Sequence, residues 1–359
     1  VGEGVVSLSD TVPLIRPYRI SGGRGAANFP WTPDRRIWRD ADGQPVRWRG
    51  LTGFKAGEIF SGGNLARLAD WLGHFDDMNY NVVRLFAHAV GPGWEVEGWE
   101  TVPDDALIDC VKWFGDLGYG VEYVLLTDDA SARIPTALRQ IGACVSARLL
   151  LPNLFLQGGN EPTTHKAIDT QALHLALRAS GFNYCSGDFE DPTRWFGSYF
   201  TVHTPRDGEW PRKSKDLMDY FGGNTGTTAS AFNAPGVADE PQRPDAAGAP
   251  SPEAKRQDFY AYAAIASLFG AGATFHSKLA EYIQMPTEED VACAQSFSDG
   301  LSVFPADAPN GAYRRIDENG ATLRTYIVGN YMVRARPTTM SAPEPGWQPL
   351  DTMGICWRR

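Results

Sequence analysis

The sequence has no run of about 18 or more apolar residues, which excludes an ordinary membrane-spanning helix. Its start, Val1-Gly2-Glu3-Gly4, has neither a basic stretch nor an apolar one, so no signal peptide is read there. It has little cysteine: five residues, Cys110, Cys144, Cys185, Cys293 and Cys356, an odd number at long spacings. With no CxxC or CxxH pair, structural zinc and a disulfide framework are both unexpected, and the thiols read as small buried hydrophobes. Positive charge is in deficit. Lys and Arg total 33 against 43 Asp and Glu, a net charge of -10, so polyanions are repelled on average and a general nucleic-acid binder is disfavoured. Internal repeats and low-complexity tracts are also missing.

What remains is a chain of 359 residues with 43% hydrophobic content, enough to bury a large core. The glycine-rich run Ser21-Gly22-Gly23-Arg24-Gly25 has no strand before it and no helix pattern after it, which removes a dinucleotide site. Next, Arg36-Ile37-Trp38-Arg39 and Pro45-Val46-Arg47-Trp48 flank Asp40-Ala41-Asp42-Gly43, a β-hairpin signal.

From Trp48 onward, short apolar runs alternate with longer amphipathic ones. The strand-like runs are 49–54, 81–87, 121–127, 153–158, 182–187, 199–203, 235–238 and 273–276. Helix-like runs at 65–78, 104–117, 135–149, 166–179, 211–221, 254–269 and 287–297 separate most of them. The connection 188–197 is too short for a full helix, and the Pro- and Ala-rich stretch 241–252 reads as a long loop. Alternation of this kind predicts an α/β fold with a parallel sheet, and eight strands suit a (β/α)8 TIM barrel; a doubly wound open sheet has the same alternation. After Gly300 the pattern changes to strands at 313–317, 322–328 and 331–336, the first pair joined by Glu318-Asn319-Gly320. The expected organisation is an N-terminal segment and hairpin over 1–47, a barrel over 48–300, and a C-terminal β extension over 301–359. The hairpin and the C-terminal strands together would supply a small accessory β layer.

In such a barrel, chemistry sits at the C-terminal ends of the strands. The fourth run ends Asn160-Glu161-Pro162 and the seventh ends Asp239-Glu240-Pro241. A glutamate at each strand end, followed by a proline that stops the strand, sets two carboxylates across a cleft. That pairing is what glycosidic bond cleavage requires. Arg84, inside the apolar second run, needs a buried partner, and a catalytic carboxylate would serve; a structural ion pair would serve equally. His88 follows the second run, Asp128 closes the third, His203 the sixth and His276 the eighth. These could also suggest a metal hydrolase, but no His-x-His pair appears and the set is scattered.

The pattern resembles the clan A retaining glycoside hydrolases, the cellulase-, mannanase- and glucosidase-like (β/α)8 enzymes, over residues 44–300. The motifs that carry the likeness are the Asp-Gly hairpin leading into Arg47-Trp48-Arg49-Gly50, then Asn81-Val82-Val83-Arg84, Asn160-Glu161-Pro162, Glu240 and His203. The resemblance implies a carbohydrate substrate, retention of anomeric configuration, Glu161 as acid/base and Glu240 as nucleophile. It also implies that Arg84 keeps the nucleophile ionised, that a less charged setting raises the pKa of Glu161, and that Asn160 bonds the sugar 2-hydroxyl. Asp239 is the alternative nucleophile. Strand alternation sends these two neighbours to opposite sides, so only one can face the cleft. No metal or cofactor is implied.

Three positions depart from the family pattern: Asp128 stands for a histidine, Pro205 for a tyrosine and His276 for a tryptophan. The eleven tryptophans offer substitutes for the lost stacking surface, since an indole face fits the C–H face of a sugar. Trp94, Trp99 and Trp210, in loops after the second and sixth strands, are the candidates. The alternative is a non-catalytic glycan-binding or structural barrel in a larger surface or virion assembly. The substrate class leans towards a secreted, surface or virion-associated protein.

Overall fold

The computed structural model describes residues 28–88, 102–127, 133–161, 171–187, 197–204, 217, 234–239, 252–277, 283–307, 313–318, 323–328, 331–335, 348–349 and 355–358. The connection at 188–196, the expected helix at 211–221 apart from Leu217, and the loop at 241–251 lie outside these residues.

All eight expected barrel strands form: β4 (Arg49–Thr52), β5 (Val82–Phe86), β6 (Gly120–Val124), β7 (Leu154–Gln157), β8 (Asn183–Cys185), β9 (Phe200–His203), β10 (Gly236–Asp239) and β11 (Gly272–Phe275). They make one parallel sheet in the order β8-β7-β6-β5-β4-β11-β10-β9. An open doubly wound sheet would leave β4 unpaired with β11; here Gly50 pairs with Thr274 and the sheet wraps round. Between the two end strands, Cys185 of β8 makes an isolated bridge to Gly197, three residues before β9. Gly197 takes a φ of 147°, and a Cβ there would stand 2.2 Å from the Tyr184 carbonyl oxygen, so only glycine permits this approach.

Helices α1 (Ala56–Ser61), α2 (Leu65–Gly73), α3 (Asp104–Asp116), α4 (Ile134–Ser146), α5 (Gln171–Ser180), α6 (Pro252–Leu268) and α7 (Glu288–Leu301) follow the barrel strands in sequence. Their apolar stripes cause the packing. Leu68, Trp71 and Leu72 of α2, Leu107, Val111 and Phe114 of α3, and Phe297 of α7 join outward-facing Leu51, Val83, Val121, Leu156, Val202 and Phe275 in one core. Burying such side chains stabilises by about 1.5–3 kcal/mol each. Thr287 starts α7 with a reciprocal capping box: its hydroxyl accepts from the Asp290 amide while the Asp290 carboxylate accepts from the Thr287 amide.

The lower barrel interior is filled from the N-terminal side. Strands β1 (Thr32–Asp34), β2 (Ile37–Arg39) and β3 (Pro45–Val46) form a small antiparallel sheet, its turn held by Asp40 Oδ1, which accepts from the amides of Asp42 and Gln44. This sheet carries Trp31 and Trp38 into a cluster with Trp48, Val82, Phe155, Cys185, Tyr199 and Val237. Trp38 stacks on Trp48 with ring centroids 6.2 Å apart. A Cβ on Gly272 would fall 2.2 Å from Cβ of Trp48, so the missing side chain makes room for the indole. These three tryptophans and Trp71 are therefore core residues, as are the buried free thiols Cys110, Cys144, Cys185 and Cys293. Burial pushes the Cys144 thiol up to about 12. Arg47 secures the same end: its guanidinium donates to the carbonyls of Ser267, Ala271, Phe304 and Pro305.

The C-terminal strands form a sheet of their own, distinct from the N-terminal one. β12 (Tyr313–Glu318), β13 (Leu323–Val328), β14 (Tyr331–Ala335), β15 (Gln348–Pro349) and β16 (Ile355–Arg358) are antiparallel in the order β12-β13-β14-β16-β15. Cys356 lies in β16.

Candidate active site

Period-two alternation decides which side chains enter the barrel. On β5, Val83 and Leu85 face the helices, so Val82, Arg84 and Phe86 face inward. The same rule turns Glu122 of β6, Gln157 of β7, Tyr199 and His203 on either side of the β9 core residues, and Asp239 of β10 into the barrel.

Arg84 lies at the centre of this layer and is fully buried. Its Nε donates to Oε1 of Gln157 at 3.2 Å, and its Nη2 to Oδ1 of Asn160 at 3.0 Å. The same Nε lies 3.5 Å from Oε2 of Glu122 and 3.8 Å from Oδ2 of Asp239. The guanidinium carbon stands 4.9 Å from the centroid of Phe86, which stacks on Phe54 at 3.9 Å. One cation thus spans two buried carboxylates and two amides, which offsets the cost of burying it. Glu122 has a further partner. The Tyr199 hydroxyl donates to its Oε1 at 2.8 Å, and burial, with the Glu122 charge adding to it, holds that phenol well above its usual pKa.

Above this layer, at the C-terminal strand ends, Nδ1 of His203 lies 2.8 Å from Oε1 of Glu161. His203 is also the register partner of Asp239 across the β9–β10 ladder. His203 thus contacts one carboxylate through its ring and is the strand partner of a residue that carries a second. Glu161 has a φ of 45°, in the left-handed region that costs a residue with a Cβ about 1–2 kcal/mol. Held strain of this kind is common where a side chain must be aimed. The preceding Asn160 amide donates to the Leu126 carbonyl, which anchors the turn.

Two other expected histidines lie at the same end. His276 is fully buried, with Nδ1 3.3 Å from Oγ1 of Thr52 and its ring 5.6 Å from Phe54. His88 is buried beyond β5, its carbonyl accepting from the Thr127 hydroxyl. Burial, then the charge of Arg133, pulls its pKa down to about 4. Thus Arg84, Asn160, Glu161 and His203 form one connected group, with His88 and His276 at the same barrel end. Glu240, Asp128, Trp94, Trp99 and Trp210 lie outside the described residues.

Sequence reasoning missed Glu122 and Gln157. The signal for Glu122 was present: a lone carboxylate in Gly120-Val121-Glu122-Tyr123-Val124, in register with Arg84. Among the described residues, a cavity of about 510 Å³ opens at the opposite, N-terminal barrel end, lined by Arg47, Arg49, Tyr80 and Asn81 among others. In barrels that end serves stability, whereas chemistry belongs at the end that carries Glu161.

No family model and no curated protein matches the sequence. The fold does match solved structures. A candidate glycoside hydrolase from Bacteroides vulgatus ATCC 8482 superposes with a TM-score of 0.59 at 13% identity, over 92% of this chain and 71% of that one. The endo-β-1,4-mannanase from Thermotoga petrophila gives 0.51 at 10% identity, over 88% and 91%. A family 5 glycoside hydrolase from Bacteroides vulgatus ATCC 8482 gives 0.50 at 11% identity, over 86% and 80%. The fold is the α/β (β/α)8 barrel that these glycoside hydrolase structures share.

Proposed function

We propose that this chain is a glycoside hydrolase that cleaves O-glycosidic bonds of a poly- or oligosaccharide with retention of configuration. The observation that carries the reading is the juxtaposition at one barrel end of Glu161, held by His203, and the Arg84-linked carboxylate layer that reaches the end of β10. Two carboxylates on opposite strands are what the reaction needs. Glu161 donates its proton to the leaving oxygen and later takes one from water. The nucleophile comes from the Asp239-Glu240 pair that ends β10, Glu240 being the residue the family resemblance implies. Asn160 faces the sugar 2-hydroxyl, and His88, His276, Asp128, Trp94, Trp99 and Trp210 supply the remaining sugar contacts. No cofactor takes part. Such a substrate class suits a secreted, surface or virion-associated protein.

The test is hydrolysis of a panel of aryl β-glucosides, β-mannosides and β-cellobiosides together with β-glucan and mannan, with Glu161→Gln and Glu240→Gln as controls. Turnover by the wild-type chain that falls in Glu161→Gln is expected. No turnover across the panel would leave a non-catalytic glycan-binding barrel. Turnover indifferent to both substitutions would place the chemistry elsewhere.

A further inference from the structure

We infer that the second catalytic carboxylate is Asp239 rather than Glu240; the inference rests on the glycosidase reading above. Within β10, which ends at Asp239, alternation sends every second residue into the barrel. Asp239 is one of them. Val237, two positions earlier, packs in the interior cluster with Trp48 and Tyr199, while Ala238 between them packs with the helices. Asp239 is fully buried, and its Oδ2 lies 3.8 Å from Nε of Arg84. It is paired in register with His203, whose ring holds Glu161. The cation that a nucleophile's charge requires and the acid/base that must stand opposite it are therefore both disposed around Asp239. A cation at this range favours the ionised, attacking form of a carboxylate.

An aspartate is one methylene shorter than a glutamate, so the anomeric carbon must come roughly 1.5 Å deeper towards Arg84. In the first step an Asp239 oxygen bonds to the anomeric carbon as the bond to the leaving oxygen breaks. That electron pair stays on the leaving oxygen, which takes the proton of Glu161. In the second step a water oxygen bonds to the anomeric carbon, its proton passes to Glu161, and Asp239 departs as a carboxylate.

The inference is tested by trapping. The wild-type chain is incubated with 2,4-dinitrophenyl 2-deoxy-2-fluoro-β-glucoside, -mannoside and -cellobioside, then digested and mapped by tandem mass spectrometry. The fluorine slows both steps, and the good leaving group lets only the first proceed. The expected result is a fluoroglycosyl ester on Asp239. In parallel, Asp239→Ala is expected to lose more than about 10³-fold in kcat and to regain turnover with added azide, giving a glycosyl azide of inverted configuration. A role confined to pairing with Arg84 would yield neither the label nor the azide product. A label on Glu240, or steady turnover of the unfluorinated glycosides with no label on Asp239, overturns the inference while the glycosidase reading stands. No turnover of the unfluorinated aryl glycosides by the wild type removes both.

Discussion

Nδ1 of His203, at the end of the sixth barrel strand, lies 2.8 Å from Oε1 of Glu161, just past the end of the fourth. Under the proposed function, the contact orients the carboxyl group that delivers a proton to a departing sugar oxygen. Glu161→Gln should therefore act according to the leaving group. Glycosides with poor leaving groups should lose about 10²–10⁴-fold in kcat/KM, whereas 2,4-dinitrophenyl glycosides, whose phenolate departs unaided, should lose far less in the glycosylation step. His203→Ala, which leaves the acid in place but unaimed, should show the same ordering with smaller losses. A loss equal for all leaving groups would mean that Glu161 is not the acid.

Glu161 also has a φ of 45°. Glycine adopts that conformation freely and alanine does not. Glu161→Gly is thus expected to be more stable than Glu161→Ala by about 1 kcal/mol, against the usual order. Urea unfolding at matched m-values would measure the difference. Equal stability, or a more stable alanine variant, would show that the turn relaxes in the variants and holds no strain.

Much of this arrangement was legible in the chain. The eight barrel strands announced themselves because each is a short apolar run bounded by turn residues. The first described helix, Ala56–Ser61, did not: at six residues with Gly57 inside it is too short for an amphipathic period, and Gly57 leaves the room that Val102 fills against it. The strands Gln348–Pro349 and Ile355–Arg358 were missed because each is too short to show an alternation. Arg84 was found because a charge in an apolar strand needs a partner. Its partners Glu122, in register on the next strand, and Gln157, one strand further, were not, because periodicity gives the face of a residue but not its register against neighbouring strands. That Asp239 faces inward turned on one position of strand phase, which packing of Val237 and Ala238 reveals and the sequence alone does not.

Arg84 links two buried carboxylates, Glu122 and Asp239, to the amides of Gln157 and Asn160. Removing one partner of a buried charge network typically costs about 3–5 kcal/mol, because the other charges stay behind. Arg84→Met should show that loss in urea unfolding, and adding Glu122→Gln should recover part of it. Arg84→Lys should be intermediate, since an ammonium cannot reproduce the planar fork. Additive losses in the double variant would mean that the two side chains do not share one network.

Trp38 seals the lower barrel against Trp48 and Phe155, far from the strand ends that carry Glu161. Trp38→Ala should cost about 3–5 kcal/mol of stability. Its folded fraction should keep the kcat/KM of the wild type at low temperature. A fall in kcat/KM larger than the fall in folded protein would show that the plug also shapes the sugar site.

His88 gives the chain a defined response to acid. Burial, with Arg133 second, lowers its pKa from 6.5 to about 4. The unfolded chain therefore takes up a proton near pH 6.5, whereas the folded chain resists it until about pH 4. The stabilising difference is complete above the unfolded value and is lost as pH falls through the folded one. The two values set an upper bound of roughly 3 kcal/mol. Unfolding free energies at pH 7, 5.5 and 4.5 should decline more steeply for the wild type than for His88→Gln. Parallel curves would show that His88 protonates in the folded chain as readily as in the unfolded one. Because the imidazole stays neutral from about pH 5 upward, His88 should also leave no inflection of its own in the pH dependence of kcat/KM there, so any limb above pH 5 belongs to other groups.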